Sequence, residues 1–293
     1  MSMVVHFSPE FRSWVLHNLE RGCAPAALID SMLEQNFEPR VAGALVEAFV
    51  RARRAGSPAP EHSVALDLPV PEYAYETPRL APGPVIPASD RDVPVLARAD
   101  QPVLAILGDV LSAWECAELI ELARPRMKPS TVVDPETGKD TIAEYRDSLG
   151  MFFRLGETPF IDRLERRFSA IMNAPLENGE GLQVLRYGPS AKTEPHFDFL
   201  APYNPGNRAS LERSGQRVST LVVYLNDVAA GGETVFPEAG IRVSARKGNG
   251  LYFEYANSRG QVDHKSLHAG APVTEGEKWV VTKWVRERRF VSA

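Results

Sequence analysis

Residues 266–288 have the sequence SLHAGAPVTEGEKWVVTKWVRER. The run 279–285 is rich in β-branched and aromatic residues, which predicts a β-strand. The segment around His268 indicates the beginning or end of another strand, and the residues 274–276 predict a turn between the two. Lys278 follows ten residues after His268. This part of the chain therefore predicts two neighbouring strands, one with an imidazole and the other with an ammonium group.

A second group of polar side chains lies upstream, where residues 194–199 have the sequence EPHFDF. In an extended backbone, side chains at positions i and i+2 leave the same face, so His196 and Asp198 can bind one ion. A histidine from a distant strand would complete two imidazoles and one carboxylate. That donor set leaves open coordination positions and suits non-haem Fe(II). Lys278 is then a candidate for binding an organic acid that chelates the iron.

Two histidines compete for the third position in this set. His264 follows Asp263 in a polar loop, whereas His268 is followed by small residues that let a backbone or ligand approach closely. We favour His268 and assign His264 to the surroundings of the site or to solvent. Lys278 has an alternative interpretation as a solvated turn lysine. Trp279 and Trp284 are either apolar walls of the site or core residues.

The bulk composition is that of an ordinary globular protein. The 293 residues are 44% hydrophobic and 24% charged, which allows one large domain and an appendage. The net charge of -5 gives no electrostatic reason to expect nucleic acid as a partner. Cys23 and Cys116 form neither a metal-binding pair nor a disulfide framework, which favours a reducing compartment. No signal peptide or membrane-length apolar run is evident, so we expect a cytoplasmic protein and no membrane partner.

The chain divides into three parts by composition. Residues 1–55 predict a small helical region of three short helices, the first capped by Ser8 with Pro9 in its first turn. Residues 56–92 predict a Pro-rich linker, since ten of the 24 prolines fall between Pro58 and Pro102. Residues 93–293 predict an α+β catalytic domain.

Within this domain, Ser112 with Glu115 predicts a capping box, and Thr158 with Pro159 predicts the start of a second helix. Many short strands with turn signals between them predict a sandwich or barrel. The predicted strands are Leu182–Tyr187, Val218–Leu225, Thr234–Phe236, Ile241–Ala245, Leu251–Tyr255 and Trp279–Val285.

The order of these motifs resembles the catalytic domain of prolyl 4-hydroxylases, within the Fe(II)/2-oxoglutarate-dependent dioxygenases. The matching stretches are ENGEGLQVLRYGP (177–189), EPHFDF (194–199), QRVSTLVVYLND (216–227), GGETVFPEAGI (231–241), GNGLYFE (248–254) and residues 266–288. The resemblance covers residues from about 93 to 293 and implies a double-stranded β-helix, or jelly roll, flanked by helices. It does not cover the N-terminal helices.

The resemblance also implies roles for individual residues. The iron ligands would be His196, Asp198 and His268, and Lys278 would pair with the distal carboxylate of 2-oxoglutarate. Hydrogen bonds to the same cosubstrate would come from Tyr187 and Thr234. The weaker matches are all to positions on the side of the peptide substrate: Arg146, Ser148, Glu180, Arg217 and Trp284.

Each peptide-side match also has a structural interpretation. For Trp284, a role in the hydrophobic core fits the sequence about as well as a role in binding the peptide. Arg217 could simply cap a pair of strands. The sequence departs from the family's pattern at three places. Residues 191–193 read AKT where relatives often carry an aromatic residue, Arg286 stands where relatives often have histidine, and the loop 201–216 lacks a clear match. These departures leave the iron chemistry intact and bear on substrate specificity.

The reaction implied by the resemblance couples oxidative decarboxylation of 2-oxoglutarate, with O2, to hydroxylation of a C–H bond in a prolyl residue of a peptide or protein. Ascorbate is a candidate auxiliary reductant. Two alternatives stay open at this stage: a hydroxylase of a free amino acid or small molecule, and a non-catalytic protein that binds or senses metal and 2-oxoglutarate. A structural zinc site is disfavoured because it prefers four ligands, often thiolates.

Overall fold

The computed structural model describes residues 3–35, 37–66, 73–129, 131–133, 140–142, 148–202 and 205–292. The chain forms two compact units, Met1–Glu72 and Tyr73–Ala293. Within the described part, no helix combines the length and apolar character that crossing a membrane requires. Each unit has its own hydrophobic core.

The part of the N-terminal unit that the structure describes contains three helices and one two-stranded antiparallel sheet. The elements are β1 (Met3–His6), α1 (Pro9–Glu20), α2 (Pro25–Glu34), α3 (Pro39–Ala55) and β2 (Ser63–Leu66). Each helix begins at a proline, whose fixed φ suits the first helical position. The Ser8 hydroxyl accepts the Phe11 backbone N–H at 3.2 Å, which confirms the predicted N-cap.

Within its described residues, the second unit contains 17 strands, numbered onward along the chain, and three α-helices. The helices are α4 (Ala113–Ala123), α5 (Pro159–Ile171) and α6 (Pro205–Ser214). The strands are β3 (Val85–Pro87), β4 (Asp92–Asp100), β5 (Val103–Leu107), β6 (Lys128–Pro129), β7 (Thr131–Val133), β8 (Asp140–Ile142), β9 (Ser148–Phe152), β10 (Gln183–Tyr187), β11 (Thr193–His196), β12 (Arg217–Tyr224), β13 (Ala230–Gly231), β14 (Thr234–Phe236), β15 (Ile241–Val243), β16 (Gly250–Glu254), β17 (His268–Gly270), β18 (Val273–Glu275) and β19 (Lys278–Arg286).

Two facing sheets confirm the predicted jelly roll. The larger sheet has the strand order β3-β4-β5-β16-β12-β19-β10-β9-β6, and the smaller one has the order β11-β17-β14-β15. From β10 to β19 the chain crosses repeatedly between the two sheets, with β10, β12, β16 and β19 in the larger sheet and β11, β14, β15 and β17 in the smaller one. This is the winding of a double-stranded β-helix. The predicted turn at residues 274–276 is wrong for its first two residues, because Thr274 and Glu275 belong to β18. β18 pairs with β13 in a separate two-stranded sheet, whereas β19 lies in the larger sheet, so these two strands do not form a hairpin.

The central strand β19 shows how the two faces of the larger sheet differ. Trp279 and Val281 belong to the core shared with α4 and α5, whereas Val280 belongs to the core between the sheets. Side chains alternate because the strand has a period of two. Every residue of β19 is buried, so both faces of this strand are covered.

The helices that cover the outer face begin where local signals predict. Ser112 and Glu115 form a reciprocal capping box, and the Thr158 hydroxyl accepts the Ile161 N–H at 3.2 Å. The buried face of α5 includes Leu164 and Phe168, both fully buried against the larger sheet's core. These caps fix where the helices start, and burial of their apolar faces holds them against the sheet.

The structure divides the predicted linker 56–92 differently from the sequence-based boundaries. Ser63–Leu66 is a strand of the N-terminal unit, and the residues from Tyr73 onward belong to the catalytic unit. Val85–Pro87 adds an edge strand to the larger sheet. The Asp90 carboxylate accepts two hydrogen bonds, at 2.7 and 2.6 Å, from the fully buried Arg167 guanidinium. These two strands have only four and three residues, which is too short to show the alternation of apolar and polar side chains that identifies a strand. The prediction of a linker therefore depended on composition alone.

Candidate active site

Two strands of the smaller sheet bring the predicted iron ligands together. His196 ends β11, His268 begins β17, and the two residues are direct cross-strand partners. One ligand atom from each of His196, Asp198 and His268 lies within 4.8 Å of the other two. The Asp198 carboxylate lies 3.9 Å from His196 Nε2 and 3.7 Å from His268 Nε2. Among the described residues, this is the cluster that offers at least three such ligand atoms to one ion.

The orientation of both imidazoles is fixed by backbone carbonyls. His196 Nδ1 lies 2.9 Å from the Glu194 carbonyl oxygen, and His268 Nδ1 lies 2.9 Å from the Ser266 carbonyl oxygen. A carbonyl can only accept, so Nδ1 carries the proton in both rings. The Nε2 atoms, which face Asp198, are therefore available to a metal. Hydrogen bonds of this kind hold ligating histidines in place.

Asp198 is buried and held in its ionised form. The Thr220 hydroxyl donates to Asp198 Oδ2 at 2.6 Å, and the Tyr255 hydroxyl lies 3.0 Å from Thr220 Oγ1. Because Thr220 uses its single proton on the carboxylate, Tyr255 is the donor to Thr220. Burial acts to raise the pKa of Asp198, but electrostatic interactions with His268, His196 and Arg217, together with the Thr220 hydrogen bond, lower it to about 2.

This donor set fits ferrous iron. Two imidazoles and a carboxylate on one side of an ion are the facial arrangement of non-haem Fe(II) oxygenases, and the remaining positions stay open. The same cavity is lined by all three ligands, by Thr234 and by Lys278. An ion held here is therefore open to a small anion that reaches Lys278.

Lys278 supplies a buried cation to this cavity. It begins β19 opposite Tyr187 of β10, and its side chain is 5% exposed. Burial lowers the pKa of Lys278 to about 8, opposed by the charge of Glu233. Its ammonium nitrogen lies 5.6 Å from the ring centres of both Tyr187 and Tyr224. Among the described residues, no carboxylate forms an ion pair with Lys278, which suits it to an anionic ligand.

The two other predicted cosubstrate contacts lie beside Lys278. Tyr187 lines the cavity, and its hydroxyl accepts a hydrogen bond from Thr193 at 3.1 Å. Thr234 lines the cavity as well, and its hydroxyl lies 2.8 Å from that of Tyr224. The structure thus places hydroxyl groups from both sheets around one buried ammonium group.

Of the predicted peptide-side residues, four lie in the described part of the chain and Arg146 lies outside it. Ser148 is buried at the start of β9, opposite Tyr187. Arg217 forms a two-point ion pair with Glu180 at 2.7 and 2.8 Å. Its guanidinium carbon stacks 4.2 Å from the ring centre of Trp284, which lines the cavity. Arg217 is thus part of a buried cluster next to the iron site instead of a strand cap.

Two of the departures from the family's pattern, Arg286 and the loop 201–216, contact each other. Arg286 is fully buried and donates to Glu180 Oε1 at 3.1 Å, to Ser210 Oγ at 3.1 Å and to the Gly215 carbonyl at 3.0 Å. Ser210 lies in α6, inside the loop 201–216 that lacks a match. Arg286 therefore links this chain's own helix to the Glu180–Arg217 pair.

Two predicted neighbours of the site lie elsewhere. Trp279 faces α4 and the outer core, so of the two tryptophans only Trp284 forms a wall of the cavity. His264 packs edge-on against Phe197 and Phe199, at 5.3 and 5.9 Å between ring centres, and does not belong to the metal cluster. The choice of His268 over His264 agrees with this geometry.

The sequence reasoning missed three residues around the site: Thr220, Tyr255 and Gln183. Thr220 could have been noticed in the sequence, because it is a polar residue within the mostly apolar strand β12. Gln183 lies on β10 directly opposite Phe152 on one side and cavity-lining Thr282 on the other. Its position on the inner face follows from the register of the sheet, which composition does not reveal.

Comparisons with known proteins agree with this site. A family model described as the 2OG-Fe(II) oxygenase superfamily matches residues 182–286. Prolyl 4-hydroxylase 1 of Arabidopsis thaliana is 41% identical over 202 residues, covering 64% of this chain and 70% of the relative. Prolyl 4-hydroxylase subunit alpha-1 of Rattus norvegicus is 38% identical over 189 residues, covering 64% of this chain and 35% of the relative.

A solved structure shows the same architecture. The viral collagen prolyl hydroxylase from Paramecium bursaria Chlorella virus-1, in its 2OG complex, aligns with a TM-score of 0.50 and 28% identity. The alignment covers 62% of this chain and 95% of that one. Fold, donor set and buried lysine together define a 2-oxoglutarate-dependent dioxygenase that uses Fe(II). The chain belongs to the prolyl 4-hydroxylase family of these enzymes.

Proposed function

We propose that this enzyme hydroxylates a prolyl residue within a peptide or protein. The relatives named above are prolyl hydroxylases, which supports the type of reaction. Two buried polar atoms on the inner face of the larger sheet support a peptide as the substrate. Trp284 Nε1 and Gln183 Oε1 are buried and have no hydrogen-bond partner among the described residues.

These two atoms suit a peptide backbone. Gln183 and Trp284 lie on the same face of neighbouring strands, because Gln183 faces Thr282 and Trp284 follows two residues later. An unsatisfied buried donor or acceptor is costly, so a ligand that supplies both partners is favoured. A peptide carbonyl can accept from Trp284 Nε1, and a peptide N–H can donate to Gln183 Oε1. A free amino acid has a charged amine and carboxylate instead of this pair.

The exposed surface beside these atoms supports the same conclusion. Phe152, the cross-strand neighbour of Gln183, is 52% exposed, and its ring centre lies 6.4 Å from that of Trp284. An exposed aromatic ring next to a polar wall is typical of a binding surface. A chain lying across Phe152 and Trp284 would lead directly into the cavity that holds the iron ligands.

The protein's own residues have separate tasks in the reaction. When bound, Fe(II) and 2-oxoglutarate supply an oxidant able to hydroxylate a C–H bond. His196, Asp198 and His268 would hold the iron. Lys278 would neutralise the distal carboxylate of 2-oxoglutarate, with Thr234 beside it. Apolar side chains between the sheets exclude water from the reacting centre.

Mass spectrometry tests the proposal directly. The purified protein is incubated with Fe(II), 2-oxoglutarate and either proline-containing peptides or free amino acids, with and without ascorbate. We expect one added oxygen on a peptidyl proline and none on free proline. Oxygen on the free amino acid alone would favour the small-molecule alternative, and the absence of any product or succinate would favour a non-catalytic binding protein.

Variants of Trp284 and Gln183 separate peptide binding from cosubstrate binding. Trp284→Phe removes the indole N–H but keeps an aromatic ring, and Gln183→Leu removes the amide. Each variant should raise KM for the peptide about tenfold, because a buried partner is lost. KM for 2-oxoglutarate should stay the same. An unchanged peptide KM in both variants would contradict a backbone-binding role for these two residues.

A further inference from the structure

The chain segment just before the catalytic sheets is bound tightly to the loop that leads to His268. The Asn257 side chain donates to the Ala74 carbonyl at 3.0 Å, and the Ala74 N–H donates to Gln261 Oε1 at 3.2 Å. Further along, the Arg79 and Leu80 N–H groups both donate to Glu254 Oε1. We name residues 73–81 the strap.

One contact of the strap reaches a fully buried acid. The Tyr75 hydroxyl donates to Asp263 Oδ2 at 2.8 Å, and Tyr73 packs edge-on against Tyr75 with 4.9 Å between ring centres. Asp263 is 2% exposed. Its other oxygen accepts the Lys265 N–H at 2.9 Å, so Asp263 caps the short 3-10 helix His264–Ser266. Both carboxylate oxygens are therefore engaged, one by the strap and one by this helix.

The same short helix determines the orientation of an iron ligand. The Ser266 hydroxyl donates to the Asp263 carbonyl at 2.6 Å, and the Ser266 N–H donates to the same oxygen at 3.2 Å. The Ser266 carbonyl in turn accepts from His268 Nδ1 at 2.9 Å. Ser266 is 1% exposed, so water cannot take over these bonds. Three hydrogen-bonded contacts, joined through the backbone of Asp263 and Ser266, thus connect Tyr75 to His268.

We propose that Tyr75 is a positioning residue for the iron site, acting through Asp263 and the Ser266 carbonyl to fix the imidazole of His268. Without the Tyr75 hydroxyl, Asp263 Oδ2 keeps no donor among the described residues. The capped helix is then free to shift, and with it the carbonyl that orients His268. Outer hydrogen-bond partners of metal ligands typically change metal affinity 10–100-fold, and Tyr75 lies beyond that first layer of partners.

The strap also offers a matched control. Glu76, the residue next to Tyr75, accepts from the Ser258 hydroxyl at 2.6 Å and from the Ser258 N–H at 3.1 Å. It binds the same loop at an exposed position, and neither bond leads to Asp263. If the strap only covered the domain, loss of the Tyr75–Asp263 contact and loss of the Glu76–Ser258 contact would change metal affinity equally.

The test measures metal affinity of the full chain without turnover. Apo protein is titrated with Co(II), and the visible absorption of the bound ion reports both affinity and coordination geometry. We expect Tyr75→Phe to bind Co(II) roughly 3- to 10-fold more weakly, with an altered absorption spectrum, while its thermal midpoint changes little. Glu76→Ala should bind Co(II) like the parent protein.

Two results would overturn the proposal. One is unchanged Co(II) affinity and spectrum in Tyr75→Phe. The other is an equal loss of Co(II) affinity in Glu76→Ala, because metal affinity would then depend on packing of the strap in general and not on the Tyr75 hydroxyl. Since no substrate is present, these results are independent of which molecule the enzyme hydroxylates.

Discussion

A single threonine that is not itself a ligand controls the carboxylate of the iron site. Thr220 donates to Asp198 and accepts from Tyr255, and all three side chains are buried. Thr220→Val keeps the shape but removes both bonds, leaving Asp198 Oδ2 and the Tyr255 hydroxyl without this partner. We expect metal affinity to fall about 10- to 100-fold, because the carboxylate is no longer oriented. Titration of apo protein with Co(II) measures this loss.

The neighbouring hydroxyl provides the control for this change. Ser219 is equally buried on β12, on the opposite face of the strand. Ser219→Ala should therefore leave metal affinity within about twofold of the parent value. Equal losses in Ser219→Ala and Thr220→Val would contradict a specific role for Thr220.

The titration of Lys278 predicts the pH dependence of cosubstrate binding. Burial lowers the pKa of Lys278 to about 8, so the ammonium form predominates below that pH and disappears above it. Only the ammonium form pairs with a carboxylate. KM for 2-oxoglutarate should therefore rise about tenfold between pH 7 and pH 9. Steady-state succinate production at several pH values measures it.

Lys278→Arg separates this titration from others in the enzyme. A guanidinium stays charged throughout this range, so any remaining binding should lose the steep dependence between pH 7 and pH 9. A parent-like slope in Lys278→Arg would assign the titration to another group. The depressed pKa also predicts that apo-protein stability rises with pH from about 8 to 10.5, because the unfolded chain retains the proton there.

At the level of elements, α6 is anchored through one side chain. Arg286 at the end of β19 donates to Ser210 of α6 and to the Gly215 carbonyl just beyond it. It also shares Glu180 with Arg217. Arg286→Ala should lower the free energy of unfolding by about 2–3 kcal/mol, because several buried bonds are lost at once. Urea unfolding measures the loss, and hydrogen exchange should increase in α6.

Arg288 is the comparison residue for this element. It donates to the Leu211 and Glu212 carbonyls of α6, at 3.0 and 2.9 Å, but it is exposed. Arg288→Ala should therefore cost no more than about 1 kcal/mol. An equal loss of unfolding free energy in Arg286→Ala and Arg288→Ala would mean that the burial of Arg286 does not strengthen its contribution to stability.

For the whole molecule, the boundary at residues 72 and 73 determines which truncation is tolerated. Removing residues 1–72 leaves the catalytic core and the strap intact. We expect this truncation to keep Co(II) affinity and peptide turnover within about twofold. Parallel metal titration and succinate assays measure both. A large loss of Co(II) affinity would contradict the assignment of the catalytic core to residues 73–293.

A longer truncation, of residues 1–91, provides the contrast. It removes the buried residues Leu80 and Ile86, the contact of Tyr75 with Asp263, and the Asp90 partner of Arg167. We expect it to lose about 3 kcal/mol of stability or more and to bind metal weakly. Parent-like stability would show that residues 73–91 are dispensable.

The sequence by itself determined the features that depend on near neighbours. The spacing of His196 and Asp198 predicted that both side chains reach one ion, although Asp198 lies in the bend after β11 and not on the strand itself. The Ser112–Glu115 capping box also depends only on residues close together in the chain. Strand alternation in β19 likewise follows from the period of the backbone. These features require only a few adjacent residues, so they can be predicted without a fold.

Only the tertiary structure decided how distant groups meet. The pairing of His196 with His268 depends on strand register, and both rings are oriented by backbone carbonyls, which every residue possesses and no sequence pattern marks. The strap was predicted as linker because its irregular chain is held by specific side chains such as Asp263, 188 residues from Tyr75. Hydrogen bonds across such separations exist only once the sheets have folded, which is why composition could not reveal them.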